Sequence, residues 1–329
     1  MIHLRIVAPE VKARATLDTL ARSDAVCNII HLPHSARRPD GDLILADVAR
    51  EDASMLIADL RGLGLDRDGS IALVEIDSHI SEHAEAAIRN AKGLPSDAVV
   101  WEEVEERTSE QVELSVVFVV FMVVAALLAA MGIYQNSAIL IVGAMVVGPE
   151  FGPLAGLCVA LVQRHVGLAR RSARALIVGF AIAIATVYVT TRLFRAVGLF
   201  DEDFSLENHT FANLISSPDF FTFFVAACAG VAGMLSLSTA KSGALIGVLI
   251  SVTTIPAAAN VGVAAAYEDW DICVGSLEQL GINLGSIVLS GVIVLWLQRI
   301  HYVRRRHKQR AARGLTQRSR ATTRSRPSS

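Results

Sequence analysis

The chain has 329 residues, 53% of them hydrophobic, with a mean hydropathy of +0.48 and a net charge of −2. The apolar residues gather after Leu114 in runs long enough to cross a bilayer at about 1.5 Å per helical residue, which excludes a soluble globule and predicts an integral membrane protein. An acid-rich first part and an acid-free basic tail after Gln298 hide behind the small net charge; this asymmetry bears on membrane orientation and implies no nucleic-acid partner.

The first 78 residues read as a soluble domain. Residues 2–8 alternate like a strand, 10–22 like a helix, 26–32 like a strand, and 34–41, with Pro39-Asp40-Gly41, like a turn. A strand at 42–49, a helix at 51–63 and a strand at 70–76 complete a β-α-β-β-α-β order, that of an α+β ferredoxin-like fold. Such domains serve as assembly modules or as ligand sensors, and both readings stand. His31 and His34 flank Pro33 without a further ligand set, so no metal is expected. The four cysteines, Cys27, Cys158, Cys228 and Cys273, are isolated, which predicts neither a disulfide framework nor a zinc site, and no cofactor is implied. The start lacks the basic and apolar regions of a secretory signal, which predicts a cytoplasmic N-terminus.

Residues 79–113 read as an amphipathic linker helix, with Val99, Trp101 and Val104 on one side and Ser96 or Asp97 as its cap. Its acidic face is either solvated or docked on the basic tail. The domain division is thus 1–78, 79–113, a six-helix membrane domain at 114–298 and a disordered tail at 299–329.

Six spans are predicted at 114–132, 137–163, 173–197, 219–237, 242–267 and 277–298. Arg164, Arg170, Arg171 and Arg174 follow the second, Lys241 the fourth, and the tail arginines the sixth; Asp201, Glu202, Asp203, Glu207, Glu268, Asp269 and Asp271 fall on the other side. This places both termini in the cytoplasm of a multi-pass protein of a bacterial inner membrane, the tail held at anionic lipid. Arg192 and Arg195, near the outer end of span three, run against the pattern, and snorkelling to the headgroups would accommodate them.

The spans form two triplets, and in each the middle one is long, glycine-rich and interrupted by proline. Asn136-Ser137-Ala138-Ile139, Gly143 and Pro149 are echoed by Ser242-Gly243-Ala244-Leu245, Gly247 and Pro256. Three spans per copy make the copies inverted, and paired interruptions of this kind point to a transporter binding site. In the first, Gly148, Pro149, Gly152 and Pro153 predict a helix break, since each proline lacks an N–H and restricts the residue before it. The carbonyls of Val146 and Val147 then favour a cation, and the N–H groups of residues 152–154 an anion. Pro256 predicts a second break, beside Thr253, Thr254 and Asn260.

Glu150 is the one acid well inside a predicted span, where a carboxylate costs several kcal/mol unless paired, hydrated or protonated. It predicts proton or cation handling, the alternative being a hydrogen bond to a neighbouring helix or an oligomer contact. Asn136, Ser236, Ser238, Thr239, Thr253, Thr254, Asn260 and Asn283 are the other polar groups such a cavity could use.

The head, the stretch NSAILIVGAMVVGPEFGP, the later SGALIGVLISVTTIPAAANVGV and QLGINLGSIVLSG resemble the bacterial and archaeal membrane proteins called domain of unknown function 389. The pattern matches at Asn136, Ser137, Gly143, Ala144, Met145, Pro149, Gly152 and Pro153, and the similarity runs from about residue 2 to 300. The resemblance implies a membrane protein and no established activity. The sequence thus predicts a secondary transporter or permease for a small solute or ion in the lipid bilayer, a homo-oligomer regulated or assembled by its head. An ion channel with re-entrant filter elements and a membrane-anchored sensor or assembly protein are the alternatives. No nucleophile elbow, P-loop or HExxH motif occurs, so an enzyme is not expected.

Overall fold

The structure is a computed structural model; it describes residues 1–76, 78–91, 101–200, 210–238 and 244–324, without the side chains of 102, 103, 107, 110, 238, 244–253, 301, 302 and 305–324. Two compact units divide the chain, one holding Met1–Val104 and Arg299–Ser329, the other Glu105–Gln298.

In the first unit the strands β1 (Ile2–Ala8), β2 (Val26–Arg37), β3 (Asp40–Val48) and β4 (Ser70–Glu75) pair antiparallel in the order β2-β3-β1-β4. The helices are α1 (Glu10–Ala21), α2 (Arg50–Gly62) and the short α3 (Leu65–Asp68). Period-two alternation buries Ile2, Leu4, Ile6 and Ala8 of β1 beside Ile44, Ala46 and Val48 of β3. Leu20 of α1 and Leu56, Ile57 and Leu60 of α2 complete this core.

Strand β2 continues through the segment expected to be a turn, and its register shifts twice, between Cys27 and Ile30 and between Leu32 and Ala36. Asn28 and His34 take positive φ at these irregularities. The two histidines have a local purpose: His31 Nε2 donates to Asp42 Oδ2 at 2.7 Å and the His34 backbone N–H to Asp42 Oδ1 at 2.9 Å. Together these bonds hold the Asp42 carboxyl below the usual carboxylate range, the backbone bond from His34 first.

The single linker helix expected over 79–113 is instead two helices, α4 (Glu82–Asn90) and α5 (Trp101–Gln111). Helix α4 ends where Ala91 takes extended backbone, with ψ 138°. Ser81 Oγ accepts the Ala84 N–H as the cap of α4, whereas Ser96, Asp97 and Val99 lie outside the described residues. On α5 and just beyond it, Trp101, Val104, Thr108 and Val112 recur at helical spacing and are all buried.

The second unit is helical: α6 (Val116–Tyr134), α7 (Ala138–Val147), α8 (Phe151–Gln163), α9 (Val166–Ala196), α10 (Thr210–Ser216), α11 (Phe220–Ser238), α12 (Ala244–Tyr267) and the start of α13 (Trp270–Arg324). Among the described residues, four helices are long and apolar enough to cross a membrane: α6, α9, Phe220–Leu237 of α11 and Trp270–Ile300 of α13. The pair α7 and α8, bent by 54°, makes a fifth span if taken as one, and α12 adds a further helix of 24 residues.

Two corrections to the expected architecture follow. Only the first of the two middle spans is broken: α12 runs unbroken through Pro256. A lone proline removes one N–H and crowds one carbonyl, which a packed helix tolerates, whereas Gly148-Pro149 followed by Gly152-Pro153 leaves no helical path between α7 and α8. The disordered tail expected from 299 is helix as far as Arg324, in a stretch of helix-forming Arg, Lys, Gln and Ala with no proline before Pro327.

Small residues bring these helices close. Ala125, Ala126, Ala129 and Ala130 of α6 and Ala257, Ala258, Ala259 and Ala264 of α12 are buried in one core, and a Cβ on Gly262 would lie 2.8 Å from the Val187 side chain of α9. Arg192 and Arg195 have a structural role: Arg195 donates to the Ala266 carbonyl at 2.7 Å and lies 4.3 Å over the Tyr267 ring, while Arg192 pairs with Glu268 at 3.1 Å. They cap the C-terminal end of α12, where free carbonyls attract cations.

Candidate functional site: a buried carboxylate at a helix break

Helix α7 starts after a turn at Asn136, whose φ is +49°, and its ten residues rise about 15 Å before Gly148 leaves the helical region at ψ 127°. Pro149 follows in the gap. Glu150 occupies the N-cap position of α8 without capping it through its side chain. Pro153 sits in the first turn of α8, where a missing N–H costs nothing.

Glu150 is fully buried, and its Oε1 accepts a hydrogen bond of 2.8 Å from Thr254 Oγ1 of α12, itself fully buried. The carboxylate at the break in one middle helix is thus held by the proline-bearing segment of the other, two residues before Pro256.

The N-terminal turn of α8 is not open. A Cβ on Gly152 would lie 2.7 Å from Gln111 Cβ and 2.9 Å from the Gln111 carbonyl oxygen, and one on Gly156 would meet Val112 at 2.4 Å and Ser172 Oγ at 2.8 Å. The two glycines let the end of α5 and the residue after it lie against α8, so the anion-favouring turn expected at 152–154 is covered by Gln111.

One turn and a half beyond Thr254, about 9 Å along α12, stands Asn260. It is fully buried, and its Nδ2 donates to the Ala212 carbonyl of α10 at 3.0 Å and to Ser276 Oγ of α13 at 2.8 Å. Ser276 opens a buried polar stripe on α13: Ser276, Gln279, Asn283 and Ser286 follow at helical spacings of three and four. Cys158 of α8 donates to the Val288 carbonyl further along α13, and a Cβ on Gly230 of α11 would lie 2.2 Å from Ser290 Oγ. The stripe therefore faces the interior of the bundle.

Of the residues expected at the site, Glu150 and Thr254 meet, while Asn260 and Asn283 are buried in the same unit, one on α12 and one on the α13 stripe. Asn136 does not join them: it is exposed, and its Oδ1 accepts the Phe211 N–H at 3.4 Å at the start of α10, a helix-capping role. Ser236 is buried on α11. The side chains of Thr253 and Ser238, and Thr239 altogether, lie outside the described residues. Sequence reading missed Ser276, Gln279, Ser286 and Ser290, although their spacing is visible in the chain.

Large apolar side chains such as Val116, Ile139, Ile177, Phe220 and Trp296 are exposed on helices whose interior holds a carboxylate and amides. That inversion, with several helices of membrane-crossing length and composition, defines a helical protein of membrane type. Residues 145–289 match the family model described as a domain of unknown function (DUF389), which supports the resemblance read from the sequence. The match leaves Asn136, Ser137, Gly143 and Ala144 outside it. The chain is 24% identical over 200 residues to the uncharacterized protein MJ0678 of Methanocaldococcus jannaschii, an alignment covering 60% of this chain and 59% of that protein. This chain thus spans about three fifths of the curated relative it matches. No solved structure matches.

Proposed function

We propose that the protein is a secondary transporter or permease for a small solute or ion, coupled to a proton or cation through Glu150. The observation that carries the reading is the bond between Glu150 and Thr254: a fully buried carboxylate at a helix break, held from the facing middle helix. A carboxylate that only tied helices together could sit in an unbroken helix. Placed where the backbone is interrupted and bonded by a hydroxyl of the facing helix, it can exchange a proton or cation as the two helices shift.

In this reading α6 to α9 and α11 to α13 are two inverted triplets, and Gly148–Pro153 and Pro256 differ because only the first has diverged into a full break. Both termini are cytoplasmic, beside Arg164, Arg170, Arg171 and Arg174, and the tail rests on anionic lipid. The capping by Arg192 and Arg195 supports this, because it accounts for the two cations on the outer side. The strand order β2-β3-β1-β4 with the α1 and α2 crossovers supports a ferredoxin-like head, with a regulatory or oligomerising role.

The test is uptake into proteoliposomes holding the full chain, screened over small ions and polar solutes under imposed pH and Na⁺ gradients. Slow, saturable, gradient-driven uptake is expected. Unitary currents in single-channel recording would instead establish the channel alternative, and neither uptake nor current would refute both.

A further inference from the structure

We propose that Asn260 and Gln279 supply two ligands of a binding site for a monovalent alkali cation, Na⁺ or K⁺, between α12 and α13. The inference rests on the carrier reading for its role in coupling, and on the side chains themselves for its existence.

Asn260 spends both N–H groups of its amide, on the Ala212 carbonyl and on Ser276 Oγ. That fixes the orientation of the amide, because the Ala212 carbonyl can only accept. The Asn260 Oδ1 atom is therefore turned away from both partners, and among the described residues it receives no hydrogen bond. Gln279 lies one turn beyond Ser276 on the same side of α13. It is 6% exposed, and its Oε1 likewise receives no hydrogen bond among the described residues.

A buried acceptor left unmade costs about 1–3 kcal/mol. Two such acceptors stand here, one on an amide bonded to Ser276 and the other on the residue one turn along α13 from Ser276. Both open atoms are acceptors, so an anion is excluded. A divalent ion would call for carboxylates, and no cluster of three or more His, Cys, Asp or Glu occurs among the described residues. Neutral amide and hydroxyl oxygens that replace a hydration shell suit a monovalent ion. The place suits coupling too, about 9 Å along α12 from Thr254, which holds Glu150.

Thermal unfolding of the detergent-purified full chain in NaCl, KCl and choline chloride at equal ionic strength tests the site. Binding to the folded state raises Tm with ligand concentration, so a rise in NaCl or KCl that choline does not reproduce is expected. Gln279→Leu should remove that cation-specific rise and, by deleting an open acceptor, raise Tm in choline. Gln279→Glu should move the cation response to about tenfold lower concentration, one carboxylate in place of an amide. Equal Tm in all three salts would overturn the site and leave a bound water only; so would a cation-specific rise that survives in Gln279→Leu. If that variant does not fold, a Gln279→Glu response no tighter than wild type overturns it as well. The Glu150→Gln variant separates the two readings: loss of uptake with the cation-specific rise retained supports both, while loss of the rise in wild-type protein refutes the cation site and leaves the carrier reading to the uptake assay.

Discussion

Thr254→Val removes one hydroxyl and little volume from a fully buried position, and it deprives Glu150 Oε1 of the 2.8 Å bond from α12. Neither side chain has exposed surface, so the loss is that of a buried hydrogen bond. Such bonds contribute about 0.5–1.5 kcal/mol with neutral partners and about 1.5–3 kcal/mol with a charged one. At roughly 2–4 °C per kcal/mol for a unit of this size, Tm should fall by about 1–12 °C, towards the upper end if Glu150 is ionised. Thr254→Ser keeps the donor and loses one methyl, about 1 kcal/mol, so the two variants separate packing from hydrogen bonding. The assay is a double-mutant cycle with Glu150→Gln, read by thermal unfolding in detergent. Coupling of about 0.5 kcal/mol or more is expected between these two contacting residues. Additive effects, with Thr254→Val as stable as wild type, would refute the claim that α12 holds the carboxylate.

Gly230→Ala should abolish folded protein on size exclusion, because its Cβ would lie 2.2 Å from Ser290 Oγ and 2.6 Å from the Ile287 carbonyl, whereas Gly143→Ala, with nothing within 4 Å, should be neutral or stabilising by up to about 1 kcal/mol. Arg195→Leu should lower Tm by removing the bond to the Ala266 carbonyl and the stacking on Tyr267, and Arg195→Lys should restore only part of it, since an ammonium keeps the charge and loses the planar fork. The first unit should lose stability in acid through Asp42. Its folded pKa is depressed, so the contribution is present above the unfolded value of about 3.9 and is lost as pH falls through the folded pKa; Asp42→Asn should flatten that part of a pH–stability curve, and an unchanged curve would show that His31 and His34 do not hold the carboxylate.

The break at Gly148–Pro153 was legible because two prolines and two glycines within six residues leave a helix no route, and the chemistry of Glu150 was legible because a carboxylate amid apolar residues has so few inexpensive solutions. Pro256 misled for the complementary reason: a lone proline reads locally as an interruption, and only packing around α12 determines that the helix continues. Asn136 was grouped with the site by its nearness in sequence to α7, yet its role is set by Phe211, 75 residues away. Ser276, Gln279, Asn283, Ser286 and Ser290 repeat at a readable period, but serines among glycines carry a weak signal until Asn260 and Gly230 show which way the stripe faces. The strands of the first unit were read from alternation alone. The extension of β2 to Arg37 was not, since it depends on bulges at Asn28 and His34 that pair the strand with β3.

Gradient-driven uptake by Glu150→Gln in proteoliposomes, with folding checked by size exclusion, tests the account most directly. The account predicts that the variant folds, inserts and no longer accumulates solute under an imposed pH or cation gradient. Uptake equal to wild type would contradict it, leaving Glu150 as a tie between α8 and α12.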